Sequence, residues 1–403
     1  MNLFKRFGAA LLCIVLIMGC FAACHGKDAV VATANNYDGT EVISVPSGVY
    51  LAMLVNADNE ARNLVSEQLG DSAKDDIKFA KQKVKAEDGT EYKFYDYIEM
   101  RAKELCRDYI ATRYLFDKND LELTDTEQST MASYIQYQWA YTGARYIYEP
   151  NGVSYDSFNQ FMGVISYERS SLFDFYYDNG GEFEPTRDIV EKGLEDNFVV
   201  ANVIEIKTKD SENKTLTEEK LAEIEAKLSG YADRINGGEQ FSVIKEEYDA
   251  EVKAEENAEG TSGSDTSSSA TSSSSVTDPT AEQPEDRLAT VFGAEKTSAA
   301  NGNFSELAKL EIGRASVVKG TDGYYRMVVR KDIHADEYYY NNYKNEVTRI
   351  LYADEFEDYI ADCGKNIEIT YDSYELGYLK PANIDYDEYQ KWYASLYSGA
   401  NAS

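Results

Sequence analysis

Histidine and cysteine are scarce in this 403-residue sequence, and their scarcity excludes several kinds of site. There are two histidines, His25 and His334, and five cysteines, of which only Cys106 and Cys363 lie beyond residue 24. Zinc sites are built mainly from these two residue types, so the sequence predicts no metal site and no cofactor. Phosphate-binding glycine motifs and serine-nucleophile motifs are also missing, and no catalytic residue is predicted.

Basic residues are outnumbered by acidic ones, and this imbalance limits the partners that the protein can bind. There are 72 Asp and Glu against 40 Lys and Arg, which gives a formal net charge of -32. Nucleic acids carry dense negative charge, so their binding is electrostatically unfavourable and is excluded. The same charge opposes docking on anionic lipid, so we expect membrane attachment to depend on a lipid anchor.

One long apolar run is present, and it lies at the N-terminus. Two basic residues precede it, which is the layout of a signal peptide over residues 1–23. The small residues before Cys24 resemble the lipobox of bacterial lipoproteins, and Cys20 is an alternative lipidation site. We therefore predict a diacylated cysteine, a tether over residues 24–40, and an extracytoplasmic protein that lipid holds on the cell membrane.

Apolar residues at helical spacing dominate residues 41–197 and predict a helical lobe. Two helix starts are well marked in this lobe. Thr124 with Glu127 fits a capping box, and Ser154 is a suitable N-cap for the helix that follows. The apolar face that follows the capping box is predicted to comprise Met131, Tyr134 and Ile135.

Past the helical lobe the period changes from that of a helix to that of a strand, which predicts a second domain over residues 198–334. A helix in this domain is expected to begin at a capping box formed by Thr215 and Glu218. An Asp-Gly turn between two apolar runs predicts a hairpin near its end. Residues 250–287 are acidic and then serine-rich, and they are predicted to be a disordered insert.

The C-terminal part is predicted to be a tyrosine-rich helix over residues 335–365 followed by a loose tail over residues 366–403. Cys363 in this helix and Cys106 in the helical lobe both lie on apolar helical faces, which could meet in one core. A disulfide between the two cysteines and a pair of buried free thiols both fit such a core.

The order of these parts resembles that of a known family, the extracytoplasmic foldases of the PrsA and SurA type. The similar segments are Asp120–Glu127 between two helices, Pro185–Asn197 at the entry to the second domain, Val203–Ile206 in its first strand, Ile235–Phe241 at a helix end, and Leu310–Val318 with Gly323–Tyr325 in the closing hairpin. The resemblance implies an α+β fold. In that fold, a parvulin-like domain with a small antiparallel sheet is inserted into a helical chaperone lobe, which a C-terminal helix completes.

Members of this family that isomerise prolyl bonds carry histidines on the first and last strands of the parvulin domain. The corresponding positions of this sequence hold Val203 and Tyr325. The resemblance therefore leaves isomerase activity open and assigns no catalytic residue.

The function that the resemblance implies is that of a membrane-anchored chaperone or foldase, which binds unfolded or partly folded exported polypeptides. The 33 tyrosines supply amphipathic contact area for such clients at low entropic cost. An active parvulin-type prolyl isomerase is one alternative. A lipid-anchored solute-binding receptor is a second alternative, although its repeated α/β units are not seen in this sequence. The oligomeric state is not predicted.

Overall fold

The computed structural model describes most of the chain beyond the N-terminal segment. The described residues are 29–70, 77–86, 88–178, 180–258 and 288–398. The predicted signal peptide and both lipidation candidates, Cys20 and Cys24, lie outside these ranges. Within them, no helix is both long enough and apolar enough to cross a membrane.

The chain divides into two compact units. The helical unit comprises the chain up to Gly181 and from Glu355 onward, and the inserted unit comprises Glu182–Asp354. The predicted α+β fold, with a small antiparallel sheet domain inserted into a helical lobe, is confirmed.

The helical unit begins with an antiparallel strand pair that leads into two long packed helices. Its elements before the insertion are β1 (Val30–Asn35), β2 (Val42–Pro46), α1 (Ser47–Leu69), β3 (Lys83–Lys85), β4 (Glu91–Lys93), α2 (Phe94–Lys118), α3 (Asp125–Tyr141), α4 (Ala144–Tyr148), α5 (Tyr155–Phe158) and α6 (Ile165–Tyr177). A π-helical segment, Asn159–Val164, joins α5 to α6. The apolar faces of α1 and α2 form the main core with β1, and Val49, Met53, Ile98 and Ile110 are fully buried there.

Two predicted helix starts in this unit are confirmed by their caps. The Thr124 hydroxyl accepts a hydrogen bond from the Glu127 amide at 3.2 Å, and the Glu127 carboxylate accepts one from the Thr124 amide at 2.7 Å. Ser154 Oγ likewise accepts a hydrogen bond from the Ser157 amide at 3.2 Å. Each cap satisfies a backbone N–H that the helix itself leaves unpaired, and contributes about 1 kcal/mol to helix stability.

The inserted unit is built on a four-stranded antiparallel sheet. Its elements are α7 (Arg187–Asn197), β5 (Phe198–Lys207), α8 (Glu218–Asn236), α9 (Phe241–Ala258), β6 (Ala289–Gly293), α10 (Phe304–Leu307), β7 (Ala315–Lys319), β8 (Tyr324–Lys331) and the first part of α11 (Glu337–Lys365). The strand order is β6-β5-β8-β7. Strands β7 and β8 form the predicted Asp-Gly hairpin, where Gly323 has a φ of 94°, a left-handed conformation that glycine adopts without steric cost.

The predicted N-cap of α8 is wrong by two residues. The cap is Thr217, whose side chain accepts a hydrogen bond from the Lys220 amide, and not Thr215. Thr215 instead pairs with Lys209 in an isolated antiparallel bridge just after β5. A threonine in an extended bridge cannot also cap a helix at that residue, so the helix begins later.

The predicted disordered insert begins too early in the chain. Residues 250–258 belong to α9, and the remainder of the prediction, 259–287, lies outside the described residues. Residues 250–258 are held against α8 at Glu251. Lys227 Nζ lies 2.6 Å from Glu251 Oε2, and the Tyr231 hydroxyl lies 3.1 Å from the same carboxylate.

After the inserted unit the chain returns to the helical unit. There α11 ends and is followed by β9 (Thr370–Tyr371), α12 (Ser373–Tyr378) and α13 (Asp387–Ser398). Strand β9 pairs with β1, so the sheet order is β2-β1-β9. The predicted tether over residues 24–40 and loose tail over residues 366–403 are therefore wrong where these elements occur. Each element is ordered by contacts with segments that are distant in sequence.

The end of α11 packs mainly against α6. Phe356 contacts Phe173 edge to face, with 5.4 Å between ring centroids, and Tyr359 contacts Tyr176 at 5.1 Å. Edge-to-face pairs of this kind contribute about 1 kcal/mol beyond the area that they bury. The aromatic side chains Phe356 and Tyr359 of α11 are therefore packed within the helical unit.

Candidate functional site

The two strand positions at which the resembled family carries histidines do not face each other. Val203 pairs with Val328 across β5 and β8, whereas Tyr325 pairs with Ile206. Alternate residues of a strand point to opposite faces of the sheet, so Val203 and Tyr325 lie on different faces. Val203 packs with the apolar residues around α10, and Tyr325 packs with those around α8. The two positions therefore do not form one site.

The polar group on the Val203 face is an ion pair whose arginine is buried. Arg326 is 4% exposed and donates two hydrogen bonds to Asp322, from Nη1 to Oδ1 at 3.0 Å and from Nη2 to Oδ2 at 2.6 Å. Arg326 Nε lies 3.2 Å from Glu205 Oε2, and Asn303 donates to Asp322 at 3.0 Å. The hydrogen bonds from Arg326 hold the pKa of Asp322 below its usual range. A carboxylate with such a pKa is a weak general base at neutral pH.

Close packing fills the space around this ion pair. A Cβ atom on Gly320 would lie 2.5 Å from Asp322 Oδ1 and 2.6 Å from Arg326 Nη1, so only glycine fits there. On the same face of the sheet, Leu307 of α10 is fully buried and Phe304 packs beside it. The face that carries Val203 is therefore occupied by protein side chains.

His334 lies beyond the end of β8, in a 3-10 turn over Ile333–Ala335. Its Nε2 lies 3.0 Å from Glu195 Oε1 in a partly exposed pair. The other histidine, His25, lies outside the described residues. Across the part of the chain that the structure describes, no group of three His, Cys, Asp or Glu residues is arranged to hold a metal ion.

Cys106 and Cys363 are both free thiols. Cys106 on α2 is fully buried beside Tyr371 of β9, and burial raises the pKa of its thiol to about 12. Cys363, near the end of α11, is half-buried, and burial raises its pKa as well. A thiol with a raised pKa is a poor nucleophile, so neither cysteine has the environment of a reactive one.

A row of exposed tyrosines follows one side of α3. Tyr134, Tyr137 and Tyr141 are 54%, 57% and 74% exposed, and spacings of three and four residues place them on one side of the helix. Met131 and Ile135 lie on a different side and are buried. The predicted apolar face of α3 is therefore wrong for Tyr134, whose ring is turned to solvent. We call Tyr134, Tyr137 and Tyr141 the tyrosine face.

The tyrosine face lies in an uncharged part of a highly charged chain. Residues 128–144 contain no Asp, Glu, Lys or Arg, although 28% of the sequence is charged. The rings of Tyr137 and Tyr141 lie 5.6 Å apart, so they present one continuous aromatic surface. Exposed apolar surface of this kind is typical of interaction sites on monomeric proteins.

The helices next to the tyrosine face hold it in place. Tyr146 of α4 stacks on Trp392 of α13, with 5.5 Å between ring centroids and 16° between the ring planes. Trp139 of α3 contacts Phe158 at 5.2 Å. Both tryptophans of the chain thus connect α3, α4 and α13 to the rest of the helical unit. The tyrosine face is therefore exposed on a packed scaffold.

Sequence and structure comparisons give different results for this chain. No protein-family model matches it, and a search of curated proteins finds no match. Among solved structures, similar ones include foldase proteins, the class that the sequence resembles. One is the foldase protein PrsA from Lactococcus lactis, with 15% identity, a TM-score of 0.34, and coverage of 70% of this chain and 87% of that chain. Another is PrsA from Streptococcus pneumoniae, with 13% identity, a TM-score of 0.31, and coverage of 77% and 98%.

Proposed function

We propose that this protein is a membrane-anchored, extracytoplasmic chaperone or foldase that binds unfolded or partly folded exported polypeptides. The observation that carries the proposal is the tyrosine face of α3. Fully burying an aromatic side chain contributes roughly 1.5–3 kcal/mol, so rings that are half exposed gain free energy when they contact apolar residues of a client. Folded proteins bury such residues, and unfolded chains expose them. The tyrosine face therefore favours unfolded clients.

The chemistry of the tyrosine face suits many client sequences. Each ring offers apolar area, and each hydroxyl can donate or accept a hydrogen bond with a client backbone. Tyrosine has few rotatable bonds, so little side-chain entropy is lost on binding. The face itself carries no charge that would fix the orientation of a client.

Prolyl isomerisation is not part of the proposal. Val203 and Tyr325 lie on opposite faces of the sheet, and the Val203 face holds a packed ion pair. Uncatalysed prolyl exchange takes tens of seconds, so a catalyst would be easy to detect. We expect the rate for a prolyl peptide to stay at background with this protein and with Tyr325→Phe. A rate well above background that Tyr325→Phe abolishes would show that the inserted unit is an active isomerase.

The anchor in this proposal is a lipid on Cys24. Its support is the sequence alone, in which small residues precede this cysteine at the end of the apolar segment. We expect Cys24→Ala to release the protein from the membrane or to leave it as unprocessed precursor. If only Cys20→Ala has this effect, the lipid is on Cys20.

The test of client binding is an aggregation assay. A model client is diluted from denaturant, and light scattering is recorded with and without the protein. The triple variant Tyr134→Ser, Tyr137→Ser, Tyr141→Ser removes the rings but adds no charge. We expect the triple variant to suppress scattering at least fivefold less than the wild type at the same molar ratio of protein to client.

The matched control removes two other exposed rings, Tyr374→Ser and Tyr378→Ser on α12, which are 58% and 55% exposed. We expect this control to suppress scattering like the wild type. Fluorescence of Trp139 and Trp392, both in the helical unit, reports whether each variant is folded. If the folded triple variant suppresses aggregation as well as the wild type, the tyrosine face does not bind clients.

A further inference from the structure

The charges around the tyrosine face are strongly unbalanced. Residues 120–156 contain six Asp or Glu and one Arg, and residues 385–391 of the adjoining α13 segment contain three acids and one Lys. Both cations are already paired with a neighbouring acid in the sequence. Arg145 lies 2.6 Å from Glu149, and Lys391 lies 2.8 Å from Glu388. The segments that flank and adjoin the neutral aromatic surface thus carry net negative charge.

Two of these acids lie in the first turns of helices that carry or adjoin the tyrosine face. Asp125, in the first turn of α3, is nine residues from Tyr134, which corresponds to about 13 Å along the helix axis. Asp387, in the first turn of α13, lies five residues before Trp392, which stacks on α4. The Debye length is about 10 Å at 0.1 M salt and about 30 Å at 0.01 M, so a charge about 13 Å away acts on a client mainly below 0.1 M salt.

Tyrosine rings also attract cations directly. A guanidinium or ammonium group above an aromatic ring is held by the negative charge of the ring face. The chain uses this contact internally, since the Arg62 guanidinium lies 4.5 Å from the Tyr386 ring centroid and that of Arg187 lies 4.4 Å from the Tyr340 ring centroid. The exposed rings of α3 offer the same contact to a partner.

We propose that the tyrosine face prefers client segments in which lysine or arginine stands next to aromatic or aliphatic residues. This inference rests on the proposed function, because it assigns a client class to the same surface. The apolar residues contact the rings, and the cations contact the ring faces and the surrounding carboxylates. Acidic segments are repelled, so unfolded regions of other acidic proteins, including those of a second copy of this chain, are poor clients.

The test uses three fluorescein-labelled 15-residue peptides with the same apolar residues and with four variable positions that are all Lys, all Gln or all Glu. Binding to the full-length protein is measured by fluorescence anisotropy at 50 mM and 500 mM NaCl. We expect the Lys peptide to bind at least tenfold more tightly than the Glu peptide at low salt. The ratio of the Lys-peptide affinity to the Glu-peptide affinity should fall to threefold or less at high salt, because screening shortens the distance over which the carboxylates act.

Two charge variants separate local attraction from the effect of net charge. The test variant, Glu122→Gln, Asp125→Asn, Asp387→Asn, removes three carboxylates near the tyrosine face. Its control removes three exposed carboxylates elsewhere in the helical unit: Glu67→Gln, Asp96→Asn, Glu99→Gln. The net charge changes equally in both. We expect the Lys-to-Glu affinity ratio to fall at least threefold in the test variant and to stay unchanged in the control.

The outcomes distinguish this inference from the proposed function. If all three peptides bind equally and the triple tyrosine variant abolishes their binding, clients bind at the tyrosine face and the cation preference is wrong. A Lys preference that falls equally in both charge variants also overturns it, because the preference would then reflect net charge. If the triple tyrosine variant binds all three peptides undiminished, the proposed function itself fails.

Discussion

The Tyr386 hydroxyl donates a hydrogen bond to Asp58 Oδ2 at 2.7 Å, which joins the C-terminal segment to α1 across 328 positions of sequence. Asp58 is 1% exposed and also accepts a hydrogen bond from Arg62 Nε at 2.5 Å. The Arg62 guanidinium in turn lies over the Tyr386 ring. One aromatic side chain thus donates to a buried carboxylate and packs against its counterion.

We expect Tyr386→Phe to lower the free energy of unfolding of the helical unit by about 1–3 kcal/mol. The ring and its contact with Arg62 remain, but the buried Asp58 carboxylate loses one of its two hydrogen bonds and keeps only that from Arg62 Nε. Losing a hydrogen bond to a buried charged group costs roughly this much. Urea unfolding followed by tryptophan fluorescence measures the change. Tyr137→Phe, which alters a hydroxyl on a 57% exposed ring, is the control and should be neutral. If Tyr386→Phe and Tyr137→Phe are equally stable, the hydrogen bond from Tyr386 to Asp58 contributes nothing to the free energy of unfolding.

Glu168 on α6 gives the helical unit a dependence on pH. It is 3% exposed, and its Oε2 lies 3.2 Å from Arg113 Nε. Burial raises the pKa of Glu168 to about 7, although Arg113 opposes the rise. The folded state therefore holds the proton more tightly than the unfolded state. The resulting stabilisation is fully present below about pH 4.5 and is lost as the pH rises to about 7.

We expect Glu168→Gln to raise the free energy of unfolding by about 1–3 kcal/mol at pH 8 and to have a much smaller effect at pH 4.5. The substitution keeps the size of the side chain and removes the cost of a buried charge, while the Arg113 side chain is 29% exposed. Urea titrations at both pH values measure this. Glu149→Gln on the surface is the control. A gain that is equal at both pH values would contradict the raised pKa.

The thiols of Cys106 and Cys363 should differ in reactivity. In protein that begins at His25, we expect a thiol reagent such as DTNB to modify half-buried Cys363 first and to reach Cys106 only after unfolding. Cys106 is fully buried, and burial keeps its thiol protonated. Cys363→Ser should remove the early reaction. A mass about 2 Da below that of the dithiol, with no reactive thiol before reduction, would instead indicate a disulfide.

In the inserted unit we expect Asp322→Asn to be destabilising by about 1–3 kcal/mol, because it leaves the buried Arg326 guanidinium without its closest counterion. The 37% exposure of the Asp322 side chain keeps the cost below that of breaking a fully buried pair. The inserted unit contains no tryptophan, so hydrogen exchange of the β8 amides is the suitable measurement. Glu311→Gln is the control, since its pair with Arg314 is largely exposed and contributes at most about 1 kcal/mol. Unchanged protection of β8 in Asp322→Asn would show that Glu205 alone satisfies Arg326.

Features that depend on near neighbours could be predicted from the sequence. The capping box at Thr124 needs only a residue three positions away, and the hairpin at Asp322-Gly323 needs only a turn between two strands. Thr215 and Thr217 show the limit of such local signals. Both can cap a helix, and only the strand-like bridge of Thr215 to Lys209 decides between them.

Features that depend on register or on distant partners could not be predicted. Tyr325 occupies the position that aligns with a family histidine. A shift of one residue along a strand, however, moves a side chain to the other face of the sheet. Strand β9 contains two residues, Thr370 and Tyr371, and its pairing with β1 leaves no periodic pattern in the sequence. The exposure of Tyr134 was missed because a tyrosine at helical spacing is equally typical of a core.

The order in which the chain is synthesised has a consequence for the helical unit. Its first strand, β1, is made before the inserted unit, but the partner β9 and the Trp392 that stacks on Tyr146 are made after it. All strands of the inserted unit are made before them. The inserted unit can therefore complete its sheet before β9 and α13 of the helical unit have been made. A newly made molecule therefore lacks the Trp392 contact behind its tyrosine face until α13 has been made.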